Sequence, residues 1–186
     1  HAVMAERVTD WHPWEDYKIS YACREDLGGG VVLTQCHEFN FLSWLFGSPQ
    51  GVYAGGGTFG DLDIDVPDTA MCIIEFKEML ASVHVDYLQR PPQRSLEVVG
   101  TRGRIFWDYF RGVVSLTNLY GTKEIVKEPE TFERNSTFLN VMQGFLEAVS
   151  TREHNPALTY LPQGRKDLEL LMAITRSMER KERIVL

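Results

Sequence analysis

The stretch from Gly28 to Gly47 reads Gly-Gly-Gly-Val-Val-Leu-Thr-Gln-Cys-His-Glu-Phe-Asn-Phe-Leu-Ser-Trp-Leu-Phe-Gly. Glycines often mark helix ends, so the residues between these two ends are predicted to form one helix. At about 100° per residue, its apolar side carries Cys36, Phe39, Leu42 and Phe46. The opposite side carries Thr34, His37, Asn40, Phe41 and Trp44. The pattern predicts a helix with one face in a core and the other facing a cleft.

The cleft-facing side of this helix differs from an ordinary solvated face. It offers a hydroxyl, an imidazole and a carboxamide beside two aromatic rings, where a surface helix usually carries charges. Such a mixture is typical of the wall of a small-molecule site. A single histidine on a helix is also common as a hydrogen-bonded structural residue, so the pattern alone leaves both roles open for His37.

The same stretch resembles a known family. It is similar to the segment, often written GGGxxxDxxHxxD...WLFG, that opens the C-terminal domain of the glucose-fructose oxidoreductase/inositol dehydrogenase (Gfo/Idh/MocA) family. Two other segments, 11–17 (Trp-His-Pro-Trp-Glu-Asp-Tyr) and 97–105 (Glu-Val-Val-Gly-Thr-Arg-Gly-Arg-Ile), lie where similar family segments stand. The resemblance covers essentially the whole chain.

The resemblance implies an α+β fold, with an open, predominantly antiparallel β-sheet and helices packed on one face. Residues 1–186 are then a single C-terminal domain for substrate binding and oligomerisation, and the N-terminal dinucleotide-binding domain is absent from this chain. The family also implies a homodimer or tetramer that forms through the other sheet face.

The chemistry implied by the resemblance is hydride transfer between NAD or NADP and a sugar, polyol or sugar derivative. The cofactor would be bound mainly by the missing N-terminal domain, so the isolated chain is expected to be inactive. His37 matches the family's histidine and is the predicted catalytic acid/base. Thr34 stands where the family commonly has Asp, and Asn40 stands where a second Asp is found. Both can still form hydrogen bonds with substrate hydroxyls.

An aromatic loop precedes the decisive helix. Pro13 halts regular structure there, and Trp11 and Trp14 flank it. Flat aromatic rings either seal the edge of a domain or stack on sugars, and both roles stay open for these two residues. Tyr17 follows and can donate a hydrogen bond to a substrate hydroxyl. Trp11, Trp14 and Tyr17 are therefore candidate substrate-binding residues.

A glycine motif follows the helix but does not predict a nucleotide site. Gly55, Gly57 and Gly60 match G-x-G-x-x-G formally, yet the acidic segment 61–68, broken by Pro67, comes next. A dinucleotide loop needs a helix whose N-terminus faces the pyrophosphate. We therefore predict a solvated loop, which also lacks the glycine and glutamate positions of a calcium-binding EF-hand.

The middle of the chain predicts antiparallel strands, since residues 69–77, 80–87, 94–99, 104–110, 113–120 and 124–127 alternate or flank turns. Segment 89–94 interrupts them with two prolines, Arg90 and Arg94. Such arginines are usually solvated, but they can also meet an anionic substrate or the cofactor, and Arg90 is the candidate cofactor contact. Two helices are predicted over 136–151 and from after Pro162 to Glu179. Their stripes are assigned to the core and comprise, in the first helix, Phe138, Leu139, Met142, Phe145, Leu146 and Val149 and, in the second, Leu168, Leu171, Met172, Thr175 and Met178.

Composition excludes several other functions. The net charge of −7, without any run of Lys or Arg, argues against nucleic acid as a partner. No apolar stretch approaches the ~20 residues that cross a bilayer, and no signal-peptide pattern is present, so a cytoplasmic protein without a membrane partner is expected. Three cysteines without CxxC spacing predict neither disulfides nor a zinc site, and no metal is predicted.

Two other functions compete with the dehydrogenase. A non-catalytic sugar-binding or dimerisation module would keep the fold and lose the acid/base residues, and Thr34 and Asn40 at the family's acidic positions favour it. A metal hydrolase using His12, His37 and the aspartates is less well supported because no HxH or HExxH spacing occurs.

Overall fold

A computed structural model describes all 186 residues and shows one nine-stranded sheet with four α-helices. The strands are β1 (Ala2–Ala5), β2 (Gly51–Gly57), β3 (Thr69–Glu75), β4 (Leu80–Asp86), β5 (Gln93–Gly100), β6 (Gly103–Asp108), β7 (Val113–Asn118), β8 (Lys123–Lys127) and β9 (Ile184–Val185). The helices are α1 (Val31–Thr34), α2 (His37–Phe46), α3 (Arg134–Thr151) and α4 (Leu161–Arg180). The predicted α+β class is confirmed.

The sheet is open and predominantly antiparallel, with strand order β8-β7-β6-β5-β1-β4-β3-β2-β9. Only the neighbours β1 and β4 run parallel, with Ala2 opposite Val83. The remaining pairs are antiparallel, and β5 to β8 form a meander in which each strand pairs with the next. The predicted central strands are therefore present, with ends shifted by a few residues.

One face of the sheet, the inner face, carries the core. Alternate residues along β3 and β4 point into it and are buried, namely Ala70, Cys72, Ile74, Ala81, Val83 and Val85. Helices α1, α2 and α4 pack over β1 to β4 on this side. The inner face of β6 to β8 has no such cover, and its apolar residues Ile105, Val114, Leu116 and Val126 remain exposed. The inner face of β6 to β8 is thus an uncovered, partly apolar surface beside α2.

The single helix predicted between the glycine ends is wrong in one respect, because the chain breaks between α1 and α2. Gln35 leaves the helical region with ψ of 39°. Its buried side chain donates from Nε2 to the carbonyl oxygen of Asp86 at 3.0 Å. This long-range hydrogen bond anchors the break to the end of β4. The predicted apolar side of the helix is confirmed, since Phe39 and Leu42 are buried and Cys36 and Phe46 pack against the core.

The assignment of both C-terminal stripes to the core requires correction. Helix α4 buries Leu170, Leu171, Ala173 and Ile174, although Leu168 and Met172 of the predicted stripe are exposed. Helix α3 buries no residue at all. Its apolar residues are between 52% and 62% exposed, namely Phe138, Leu139, Val141, Met142, Phe145, Leu146 and Val149. The stripe of α3 therefore has no cover within these 186 residues.

The glycine-rich strand β2 was not predicted. It pairs with β3 over its full length, from Gly51 opposite Glu75 to Gly57 opposite Thr69. A Cβ at Gly56 would lie 2.6 Å from Cε of Met178 in α4 and 2.4 Å from the carbonyl oxygen of Thr69. Glycine here permits the close approach of the β3 backbone, and the flexible end of Met178 occupies part of the space that a side chain would need. The G-x-G-x-x-G match lies in this strand and the loop after it, and no helix follows.

Candidate functional site

A cleft of about 890 Å³ lies between α2, the open inner face of the sheet and the start of α3. Its apolar wall is mainly aromatic, with Phe41, Trp107, Tyr109, Phe110, Phe132 and Phe138 beside three valines. Its polar wall includes His37, Asn40, Arg94, Lys127, Glu128, Arg134 and Thr137. Aromatic rings with a few polar groups suit a ligand of sugar size or larger.

His37 is the first residue of α2 and is exposed toward this cleft. Partial desolvation and the positive charge of Arg94 lower the pKa of His37 below its ordinary value. A lowered pKa leaves the imidazole neutral at pH 7, so it can accept a proton. No side chain forms a hydrogen bond with His37 in the structure, and the adjacent Glu38 points into the core instead.

Asn40 lies one turn further along α2 and also lines the cleft. Its Nδ2 donates to Oδ2 of Asp167 at 2.6 Å, and Gln163 donates to the other oxygen of that carboxylate at 2.8 Å. Both Gln163 and Asp167 belong to α4. Asn40 is therefore oriented by α4, and its carboxamide oxygen is available to accept a hydrogen bond from a ligand.

Arg94, in β5, has three close partners. Its Nε donates to Oε1 of the fully buried Glu38 at 2.6 Å. Its guanidinium carbon lies 5.7 Å from the ring centroid of Trp107 and 5.1 Å from that of Tyr109. Burial raises the pKa of Glu38, and the charge of Arg94 opposes that rise. From the sequence, Arg94 is recognisable only as one of two arginines between strands, because its partner Glu38 is 56 residues away.

Glu6 is a second residue that sequence analysis missed. It follows β1 and continues the inner-face alternation of Ala2 and Met4. Burial and the Asp10 carboxylate raise the pKa of Glu6, whereas Arg134, Trp11 and Arg94 oppose the rise. Glu6 thus lies close to two cations of the cleft. Extending the period-two pattern of β1 by one step would have identified it.

Three of the predicted substrate contacts lie outside the cleft. Trp11 packs edge-on against Tyr87, with ring centroids 5.4 Å apart, and seals the core. The Thr34 hydroxyl is buried beside Tyr87. The Tyr17 hydroxyl accepts a hydrogen bond from the backbone of Asp63 at 3.3 Å. Roles in substrate binding for Trp11, Thr34 and Tyr17 stay predictions.

Trp14 and Arg90 also lie outside the cleft lining. Trp14 is 77% exposed and its ring centroid is 5.3 Å from that of His12. Arg90 donates from Nε to Oδ2 of Asp10 at 2.6 Å, and its Nη2 contacts the other oxygen and the Thr9 hydroxyl. This fork occupies Arg90, and its predicted contact with the cofactor stays a prediction.

No group of three or more His, Cys, Asp or Glu side chains is arranged to hold a metal ion. None of the helices is both long enough and apolar enough to span a bilayer.

Comparison with known proteins decides the family. The family model described as the GFO/IDH/MocA C-terminal domain matches residues 1–106, more than half of the chain. The chain belongs to this family. A sequence search of curated proteins gives no match. As a GFO/IDH/MocA C-terminal domain, the chain carries the decisive helix pair α1 and α2 within the matched residues.

Solved structures share the fold of this GFO/IDH/MocA domain. Levoglucosan dehydrogenase in complex with NADH and levoglucosan aligns with a TM-score of 0.82 and 16% identity over 100% of the chain. The WlbA dehydrogenase from Bordetella pertussis, in complex with NADH and UDP-GlcNAcA, aligns with a TM-score of 0.70 and 20% identity over 100% of the chain. UDP-N-acetylglucosamine 3-dehydrogenase GnnA from Acidithiobacillus ferrooxidans aligns with a TM-score of 0.74 and 15% identity over 96% of the chain. The alignments span 57%, 54% and 52% of those three chains, respectively.

Proposed function

We propose that this chain is the substrate-binding domain of a longer NAD(P)-dependent oxidoreductase. The reaction is hydride transfer between the nicotinamide and a hydroxyl-bearing carbon of a sugar, polyol or sugar derivative. The observation that carries the proposal is the placement of His37, with a lowered pKa, at the mouth of an aromatic cleft. The three structural relatives named above are all dehydrogenases, and two of them hold NADH together with a sugar derivative.

His37 supplies the acid/base function in this proposal. Oxidation of a hydroxyl-bearing carbon requires a base that takes the hydroxyl proton as hydride leaves the carbon. The neutral imidazole of His37 takes that proton, and the imidazolium returns it in the reverse direction. Asn40, fixed by Asp167, accepts a hydrogen bond from a neighbouring hydroxyl. Aromatic residues such as Trp107 and Phe41 pack against the apolar face of the sugar ring.

The residues of this chain do not fit the dinucleotide part of the cofactor. The only G-x-G-x-x-G match spans the end of β2 and the loop after it, and it leads into an acidic segment rather than a helix. NAD or NADP is therefore proposed to bind mainly to an N-terminal domain outside residues 1–186, with only the nicotinamide reaching His37. When bound, the nicotinamide accepts or returns the hydride. On this proposal the isolated chain has no dehydrogenase activity.

Two exposed apolar surfaces fit contacts with other protein. The α3 stripe, which includes Phe145 and Leu146, is proposed to pack against the rest of the longer protein. On the outer face of the sheet, Tyr53, Ile73 and Met71 form a patch across β2 and β3. A second copy of the chain is proposed to cover this patch, giving a homodimer or tetramer. Sedimentation of the full-length protein tests this, because Ile73→Lys should shift it toward the monomer.

A second function is favoured by one observation. His37 has no carboxylate partner, and Asn40 is already bonded to Asp167. A neutral imidazole without a partner is a weaker base than one paired with a carboxylate, because the partner stabilises its charged form. A non-catalytic sugar-binding or dimerisation module would tolerate this arrangement.

Titration of the full-length protein with NAD and NADP separates the two functions. The proposed enzyme binds one of them and reduces it, as seen in nicotinamide absorbance, with at least one member of a panel of sugars, polyols and sugar acids. Absence of binding to either nucleotide would contradict the enzyme and leave the module.

A further inference from the structure

We propose that Arg94 binds an oxyanion of the substrate, a carboxylate or a phosphate, so that the enzyme acts on acidic rather than neutral sugars. The inference rests on the proposed function and names the substrate class of the same cleft. It starts from the way in which the guanidinium is held.

The guanidinium of Arg94 is fixed before any ligand arrives. Glu38, with no exposed surface, accepts a hydrogen bond from its Nε, and the rings of Trp107 and Tyr109 lie close to its guanidinium carbon. Arginine loses considerable side-chain freedom when it is ordered, and here the protein has already ordered it. Ligand binding therefore avoids most of that entropic cost.

The two Nη groups of Arg94, which have no hydrogen-bond partner in the chain, indicate an anionic ligand. Neither Nη group of Arg94 forms a hydrogen bond within the chain, although Arg94 lines the cleft and its side chain is only 20% exposed. Two adjacent N–H groups in a fixed plane match the two oxygens of a carboxylate or phosphate. A neutral hydroxyl can accept from one of these Nη groups but leaves the other without a hydrogen-bond partner.

Other charged groups of the cleft modify this site. Lys127 and Arg134 line the cleft and form no ion pair in the structure, whereas the protein as a whole is negatively charged. Glu128 also lines it, and Glu6 lies near Arg94 and Arg134. Arg134 thus strengthens the attraction for an anion, and Glu6 competes with the anion for the same cations. Removing each of the two should have opposite effects on binding.

Calorimetric binding to the full-length protein tests the proposal with D-glucose, D-glucuronate, glucose 6-phosphate and glucose 1-phosphate. The readout is the ratio of the Kd for glucose to the Kd for each acid. We expect a ratio of about 10 or more for at least one acid, in line with a charge-assisted hydrogen-bond pair. The two phosphates and glucuronate distinguish a phosphate from a carboxylate, and a group on C1 from one on C6.

The variants separate recognition from folding. Arg94→Lys keeps a positive charge for Glu38 but loses the planar fork, and it should lower the ratio about 10-fold. Arg134→Gln, at an exposed position, should lower the ratio by a smaller factor, and Glu6→Gln should raise it. Arg102→Gln, in the exposed turn between β5 and β6, is the matched control and should leave it unchanged.

Equal Kd values for glucose and every acid, failure of all three acids to bind, or a ratio unaffected by Arg94→Lys would overturn the proposal. Reduction of nicotinamide by neutral sugars, without any preference for acids, would overturn it while leaving the proposed oxidoreductase intact. If the protein bound neither NAD nor NADP but still preferred acidic sugars, the proposed oxidoreductase would be contradicted and the anion-binding role of Arg94 would stand.

Discussion

Nε of Arg94 donates to Oε1 of Glu38 at 2.6 Å and thereby joins the middle of the sheet to the buried side of the helix that carries His37. Glu38 has no exposed surface, and its second oxygen has no hydrogen-bond partner. The pair therefore links the core to the cleft. A substitution of either residue should therefore affect both the stability of the core and the properties of the cleft.

Loss of one partner should destabilise the protein more than loss of both. Arg94→Met leaves the Glu38 carboxylate buried without its cation, and we expect a loss of about 3 kcal/mol in the free energy of unfolding. The double variant Glu38→Leu/Arg94→Met removes both charges and should recover most of that loss. Urea unfolding followed by tryptophan fluorescence measures both. A double variant at least as destabilised as Arg94→Met would contradict this prediction.

Asp86 should govern part of the acid stability. Burial alone would raise its pKa, but hydrogen bonds from His84, Leu88 and Gln89 outweigh burial and lower it. A carboxylate with a lowered pKa stabilises the folded state above its unfolded pKa of about 3.9, and this contribution is lost as the pH falls through the lower folded value.

The variant Asp86→Asn tests that assignment. It should reduce stability at pH 7 and flatten the dependence of unfolding free energy on pH below about 4. Asp26→Asn is a surface control, since that carboxylate is exposed and pairs only with Arg24. If Asp86→Asn left the acid limb of the stability curve as steep as in the wild type, Asp86 would not be the group responsible.

Gly29 should tolerate no side chain. A Cβ there would lie 2.4 Å from the carbonyl oxygen of Tyr21 and 2.7 Å from those of Ala22 and Arg24. Because backbone atoms cannot move aside cheaply, Gly29→Ala should cost about 2 kcal/mol or more in stability and displace α1. Gly55→Ala is the matched control, because no atom lies within 4 Å of a Cβ at that position. Thermal unfolding of the two variants should therefore differ clearly, and similar melting temperatures would contradict this packing.

Local patterns predicted the fold class, most strands and the cleft-facing side of α2 because these follow from the periodicity of side chains. The break at Gln35 was missed because its cause is a hydrogen bond to Asp86, 51 residues later. Strand β2 was missed because glycine disfavours strands in isolation, whereas Gly56 is required by the close approach of the Thr69 carbonyl in the neighbouring strand β3.

The candidate site was predicted only in its local part. His37 and Asn40 share one face of a helix, which the sequence shows directly. Arg94 joins them through strand pairing that no short pattern reveals, whereas Glu6 follows from the period-two pattern of β1 extended by one residue. The α3 stripe illustrates the opposite case. Its periodicity correctly indicates an apolar face, but nothing in the pattern says which surface covers it.

The most direct test of the central claim is the turnover number of the full-length enzyme and its His37→Gln variant, with nicotinamide and substrate saturating. Glutamine keeps a polar side chain but cannot accept the hydroxyl proton, so kcat should fall by about 10²-fold to 10⁴-fold while nucleotide affinity is retained. His154→Gln, outside the cleft, should match the wild type. The wild-type rate should also decline as the pH falls through the lowered pKa of His37, because protonation removes the base. An unchanged kcat in His37→Gln would contradict the account and make His37 a structural residue.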